Sequence, residues 1–162
     1  TGARVGEIVQ LRKQDVREVS GRWVLRITPD AGTVKAEDYR DVPLHPQVID
    51  EGFVTFVEAC GDGPLFHNET DPGKYRNAVK IVGNKLSDWL RVSGLTPAGV
   101  QPNHGWRHAF KTRCRENGIS DRVADAIQGH AGRTAGDSYG DVTLKTKIDA
   151  IDRLPAFQLK AR

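Results

Sequence analysis

Methionine is absent from the 162 residues, cysteine occurs twice, and aromatic side chains make up only 7 %. Without an initiator methionine the chain reads as a piece of a longer polypeptide. Cys60 and Cys114, far apart in the sequence, make neither a disulfide framework nor a zinc knuckle, which fits a reduced, cytoplasmic setting and buried thiols. No apolar run approaches the ~20 residues a membrane helix needs, so no membrane partner is expected. The opening Thr1-Gly2-Ala3-Arg4 has neither the basic flank nor the apolar stretch of a signal peptide. Repeats and low-complexity tracts are also missing. A strong excess of one charge is lacking too: 24 basic residues face 21 acidic ones. The small surplus is unevenly placed, with 13 basic and 14 acidic side chains up to Pro102 but 11 and 7 beyond it. A polyanion suits the second half better than the first.

What is present is a soluble, foldable balance, 38 % hydrophobic and 28 % charged, at a length that suits one domain. Val5, Ile8, Val9 and Leu11 recur at near-helical spacing, which predicts a helix over 3–13. From 15 to 44 short β-prone runs alternate with Ser20-Gly21 and Pro29-Asp30-Ala31-Gly32, the pattern of a small antiparallel sheet with Lys35 near its second turn. Pro46 suits the first turn of a helix reaching 60, and an apolar stripe of Val79, Val82, Leu86, Trp89 and Leu90 predicts a long one over 75–92. Asn103 is a candidate N-cap for a helix that Gly118 closes, and Ser120 or Asp121 for a shorter one to 128. Glycines make 130–142 a flexible segment. Thr143 opens a last helix that Pro155 stops, and Trp23, Trp89 and Trp106 read as core. The fold class is α+β, mostly helical, with the sheet beside a helical core.

Three groups of residues have the chemistry to act on a phosphodiester. Arg4 stands at the start, His104, Arg107 and His108 share one helix face, and His130 is followed nine residues later by Tyr139. Arginine forks match phosphate oxygens and neutralise the charge that develops at phosphorus. Histidine exchanges protons at working pH, and a phenol flanked by guanidinium groups is activated for attack. The His104/His108 spacing imitates half of a zinc site, but the metalloprotease signature needs Glu where Gly105 stands, so no metal is assigned.

Read in order, these groups resemble the tyrosine recombinases, the phage-integrase family. Thr1 through Leu11 is similar to the family's first box, His104-Gly105-Trp106-Arg107-His108-Ala109-Phe110 to its second, and Gln128-Gly129-His130 with Tyr139 to its third. The likeness runs from Thr1 to about Leu154. It implies the family's catalytic-domain fold over 1–162, with a three-stranded antiparallel sheet and without the N-terminal core-binding domain. It also implies site-specific DNA integration through a 3′-phosphotyrosine intermediate, with no metal, ATP or other cofactor. Arg4 and Arg107 would hold the scissile phosphate, His104 would assist proton transfer and His130 would hydrogen-bond the phosphate. Lys35 would protonate the leaving 5′ oxygen, and Tyr139 would attack. Glu7 and His108 would support them from behind, His108 from beneath the site. Arg12, Lys13, Lys111 and Arg133 are expected to contact DNA phosphates. The implied partners are double-stranded attachment sites and three further copies of the chain in a tetramer on DNA, with a monomer or weak oligomer when alone. The implied location is the bacterial or phage-infected cytoplasm, at the nucleoid. Residues 143–162 resemble a tail that packs on a neighbouring protomer or on its own domain. Gly105-Trp106 stands where the family more often has an acidic residue and leucine, and Gln128 replaces a common leucine.

Two rivals share the residues. A type IB topoisomerase uses the same tyrosine chemistry but relaxes supercoils without a synapsed partner. A non-catalytic DNA-binding relative would lack cleavage, although here every catalytic position is filled. A metal-dependent nuclease would be sensitive to chelators.

Overall fold

The computed structural model describes residues 1–31, 39–130 and 140–158. Lys35, Arg133 and Tyr139 lie outside the described residues, as does most of the glycine-rich 130–142 segment. The chain begins with α1 (Val5–Val9), followed by β1 (Val16–Val19), β2 (Arg22–Ile27) and β3 (Arg40–Pro43). Then come α2 (Pro46–Asp50), α3 (Phe53–Ala59), α4 (Tyr75–Val92), α5 (Pro102–Glu116), α6 (Asp121–Gln128) and α7 (Leu144–Arg153). Among the described residues no helix is long and apolar enough to cross a membrane.

The sheet has the order β1-β2-β3 and is antiparallel throughout, with Val16 opposite Leu25 and Leu25 opposite Val42. Ser20 and Gly21 form the two-residue turn between the first two strands, both at positive φ (53° and 73°). Two successive positive φ values give the backbone twist that a tight hairpin needs. Leu25, Ile27 and Val42 join Ala124, Ile127, Ala150 and Ile151 in one buried cluster, so α6 and α7 cover the sheet. That packing brings the C-terminal end of α6 against β3, where the candidate site begins.

Several elements differ from their sequence patterns, each for a physical reason. The first helix ends at Val9 because Leu11 and Lys13 turn their backbones to another segment: Leu65 N–H donates to the Leu11 carbonyl and Lys13 N–H to that of Gly63, both at 2.9 Å. The helix expected over 46–60 is two helices, since Gly52 sits in the left-handed region at φ +84°. Asn103 does not cap α5, which starts one residue earlier at Pro102. Its side-chain amide donates to Ser87 Oγ (2.6 Å) and the Gly83 carbonyl (3.0 Å), tying α5 to α4. The long α4, the Ser120 cap of α6 and the Thr143 cap of α7 are as expected.

Of the tryptophans only Trp23 packs on the core, and only partly. Trp89 is 57 % and Trp106 54 % exposed. Helical spacing identifies a shared face but not what covers it. Trp106 faces an apolar groove with Val48, Phe53, Phe56 and Phe157. As far as Phe157 the C-terminal tail lies on its own domain: Gln47 exchanges two 2.8 Å hydrogen bonds with the Phe157 backbone, and the Arg113 guanidinium rests 4.0 Å from its ring.

Candidate active site

The site is built where α1, the start of α5 and the end of α6 converge. A cleft of about 350 Å³ is lined by Arg4, Ser87, Arg91, Asn103, His104 and Arg107. Its walls carry the first and second sequence groups together, although about a hundred residues separate them.

Arg4 enters from the N-terminus of α1. Its backbone N–H donates to Glu7 Oε2 at 2.7 Å and its Nη1 to Glu7 Oε1 at 3.0 Å, so the carboxylate closes the first helical turn and steers the guanidinium. Glu7 is buried, and Arg40 of β3 also reaches it, at 2.7 Å. Burial alone pushes the Glu7 carboxyl up, but the hydrogen bonds and charges of Arg40 and Arg4 prevail and hold it below its ordinary value. Glu7 therefore stands behind the cleft as a buried anion between Arg4 and Arg40.

Arg107 is 4 % exposed. Its Nη1 donates to the Gly2 carbonyl at 2.7 Å, and its Nε to His130 Nε2 at 3.2 Å. Nη2 is buried and has no acceptor among the described residues. Burial, aided by the charges of Arg4 and Arg40, pushes its pKa down to about 10. The guanidinium stays charged at neutral pH, yet it is short of both water and anions, and an oxyanion would relieve both. Gly2 makes the Arg107 contact possible. It sits at φ +59°, and a Cβ there would lie 2.6 Å from both Phe110 Cδ1 and Gln128 Nε2.

His130 follows the end of α6 in a Schellman turn: Gly129 adopts the left-handed conformation and the His130 N–H returns to the Asp125 carbonyl at 3.0 Å. The turn folds the imidazole back over its own helix, so Nδ1 lies 2.9 Å from Asp125 Oδ1 while Nε2 faces Arg107. Gly129 also admits Arg40, whose guanidinium donates to the carbonyls of Ile127 and Gln128, both at 3.2 Å. Any Cβ at Gly129 would fall 2.5 Å from that group.

His104 lines the cleft near Arg4 and Arg107, with its ring edge-on to His108 at 4.7 Å. His108 is exposed beside His104 and does not lie beneath the site. The described cations expected on DNA are engaged inside the chain. Arg12 makes a two-point pair with Asp15 at 2.8 and 2.9 Å. Lys13 donates to the carbonyls of Glu58 and Cys60, and Lys111 binds Asp125 at 2.6 Å. In these contacts each tethers one part of the fold to another. Among the described residues no group of three or more His, Cys, Asp and Glu converges to hold a metal ion.

Sequence reasoning missed Arg40, Asp125 and Gln128. Arg40 carries no local signal, since its partners are 33 and nearly 90 positions away. Asp125 was readable: an acid five residues before a histidine that follows a helix-closing glycine is brought against it by the turn. Gln128 is fully buried, with Nε2 donating to the Arg107 carbonyl at 2.8 Å, so the departure from leucine touches the backbone of the site.

The architecture, a mostly helical body with a three-stranded antiparallel sheet, is the tyrosine-recombinase catalytic-domain fold: it superposes on 99 % of the chain with the integrase of mycobacterium phage Brujita at a TM-score of 0.68, with 20 % identity and half of that chain covered. No protein-family model matches the sequence. Curated relatives do. The tyrosine recombinase XerA of Pyrococcus furiosus is 29 % identical over 154 residues, which is 94 % of this chain and 50 % of that protein. XerC of Pelobacter propionicus is 25 % identical over 158 residues, 94 % and 48 % of the two chains. The chain thus spans about half the length of the curated relatives it matches, and over nearly its whole length it is similar to tyrosine recombinases.

Proposed function

We propose that this chain is the catalytic domain of a site-specific recombinase that breaks and rejoins double-stranded DNA at attachment sites. The observation that carries the reading is the convergence of Arg4, His104 and Arg107 on one cleft, with His130 against Arg107. Three such groups lining one cleft, with a fourth hydrogen-bonded to Arg107, suit a phosphodiester in particular. Arg4 and Arg107 hold the non-bridging oxygens, and the buried Nη2 of Arg107 supplies a donor that still lacks an acceptor among the described residues. His130 hydrogen-bonds the same phosphate, and His104 assists proton movement at the nucleophile.

The roles of Tyr139 and Lys35 rest on the family resemblance. The Tyr139 phenol passes its proton by way of His104 to solvent, and its oxygen attacks phosphorus in line, forming the O–P bond as the P–O5′ bond breaks. The departing 5′ oxygen takes a proton from Lys35, leaving a 3′-phosphotyrosine. A free 5′ hydroxyl from another strand reverses the step. The phosphotyrosine conserves the energy of the broken bond, so ligation needs no ATP, and the arginines supply the charge compensation without a metal. Exchange between two duplexes requires four such sites, hence a homotetramer assembled on DNA in the cytoplasm.

The test is a pool of randomised, nicked duplexes, whose cleaved ends diffuse away and trap the intermediate. The expected result is a denaturant-resistant protein–DNA band in EDTA that vanishes in Tyr139→Phe. Absence of the band in the parent, or its persistence in Tyr139→Phe, overturns the reading.

A further inference from the structure

Arg107 and Lys111 stand one turn apart on α5, and between them they enclose the end of α6. Arg107 Nε donates to His130 Nε2, His130 Nδ1 meets Asp125 Oδ1, and Lys111 Nζ lies 2.6 Å from that same oxygen. The four side chains form a continuous relay between α5 and the end of α6. Lys111 is further fixed by the Asp121 carbonyl at 3.2 Å and its carboxylate at 3.6 Å. Asp125 and Lys111 are 14 % and 12 % exposed, whereas His130, at 39 %, is the member that reaches solvent.

The acceptor and donor pattern decides the imidazole's state. A carboxylate oxygen only accepts, so the proton between Asp125 and His130 belongs to Nδ1. Arg107 only donates, so Nε2 accepts in the resting site. A phosphate oxygen arriving at Nε2 also only accepts. It can be bound there only if Nε2 gains a proton, and the resulting imidazolium then lies between Asp125 and the phosphate.

We propose that Asp125 is a positioning residue that fixes His130 in the Nδ1–H tautomer and favours its protonation when a phosphate binds at Nε2, with Lys111 as the counterweight that limits that preference. The proposal rests on the phosphate reading of the site and extends it to residues that touch no substrate. Among the described residues, the charged groups around His130 are Arg107 and Lys111 of α5, Asp125 and, through Lys111, Asp121 of α6, and Arg40 of β3 with its partner Glu7. Asp125 is held ionised: burial pushes its carboxyl up, but hydrogen bonds from Lys111 and His130 outweigh that and lower it. Removing the anion removes the partner of the imidazolium, and removing Lys111 removes a competing cation. The two changes therefore act on His130 in opposite directions.

The experiment compares the parent, Asp125→Asn and Lys111→Gln in two ways. Nitrogen-15 NMR of the free protein reads the His130 tautomer and its titration without any need for activity. The Nδ1–H form is expected in the parent, with protonation moved to lower pH in Asp125→Asn and to higher pH in Lys111→Gln. Cleavage of nicked duplexes then reads the working site. Asp125→Asn should lose roughly ten- to hundredfold in rate, the scale seen when the partner that orients a metal-bound histidine is removed, carried over to a phosphate-bound one. The alkaline limb of its pH profile should move down, and that of Lys111→Gln up. A resting Nε2–H tautomer, or limbs that stay fixed or move together, overturns the proposal. If no variant or parent cleaves DNA, the phosphate reading fails, while the NMR arm still decides the Asp125–His130 linkage.

Discussion

Arg40 Nη2 lies 2.7 Å from Oε2 of Glu7, joining the last strand of the sheet to the helix that presents Arg4. The same guanidinium binds the carbonyls of Ile127 and Gln128 just before His130. One side chain thus spans the first and third sequence groups, and it does so from a strand to which sequence reading assigns no role. Glu7 is buried, so this pair is an internal ion pair whose halves depend on each other.

Arg40→Ala should be costly because it leaves Glu7 with Arg4 as its remaining cation. Breaking a buried pair from one side typically costs about 3–5 kcal/mol, since the surviving charge is uncompensated. Retained hydrogen bonds from Arg4 put the expected loss near the lower end, about 3 kcal/mol. The urea midpoint measures it. The double variant Arg40→Met with Glu7→Gln should recover much of the loss, and if it does not, the ion pair is not the cause.

Acid sensitivity follows from the same pair. The folded Glu7 carboxyl lies below its ordinary value of 4.5 because Arg40 and Arg4 outweigh burial. A depressed carboxyl adds stability that is complete above the ordinary value and drains away as pH falls through the folded one. Thermal midpoints of the parent should therefore drop steeply below about pH 4.5. Glu7→Gln should be less stable at pH 7 but show a shallower fall. Parallel curves for the two proteins would remove Glu7 as the source.

The residues that line the cleft were legible through their resemblance to the family's boxes. The two histidines and two arginines fell in family order, and Arg4, His104 and Arg107 do line one cleft. Helix ends with chemical signals were equally readable, as Ser120 and Thr143 show. Tertiary exchange was not. The sequence does not say that Leu11 would leave its helix to pair with Leu65, or that Lys111 would turn inward to Asp125. Trp89 and Trp106 mislead for the reverse reason: an apolar residue at helical spacing looks buried whether or not anything packs on it.

Gly2→Ala tests whether close approach at the N-terminus sets the position of Arg107. Gly94 supplies the control, at φ +66° with open space around it, where an alanine meets only backbone strain of about 1 kcal/mol. At Gly2 the added carbon also meets Phe110 and Gln128, so the chain must move and the carbonyl that receives Arg107 Nη1 moves with it. Calorimetry should show a larger loss than at Gly94, and cleavage should fall for Gly2→Ala alone. Equal effects at the two positions would mean that the contact with Arg107 is incidental.

Arg107 carries the strongest prediction about rate. It is desolvated, pressed by the charges of Arg4 and Arg40, and holds one donor without an acceptor among the described residues, so its interactions strengthen as negative charge grows on a bound phosphate. A group of that kind contributes more in the transition state than in the initial complex. Arg107→Ala should slow formation of the covalent adduct about 10³-fold while duplex affinity changes little. Arg107→Lys retains the charge but loses the planar fork that reaches both Gly2 and His130, so it should recover only part of the rate. Single-turnover cleavage, measured beside a filter-binding titration, separates the two quantities. A loss of affinity equal to the loss of rate would make Arg107 a binding residue and no more.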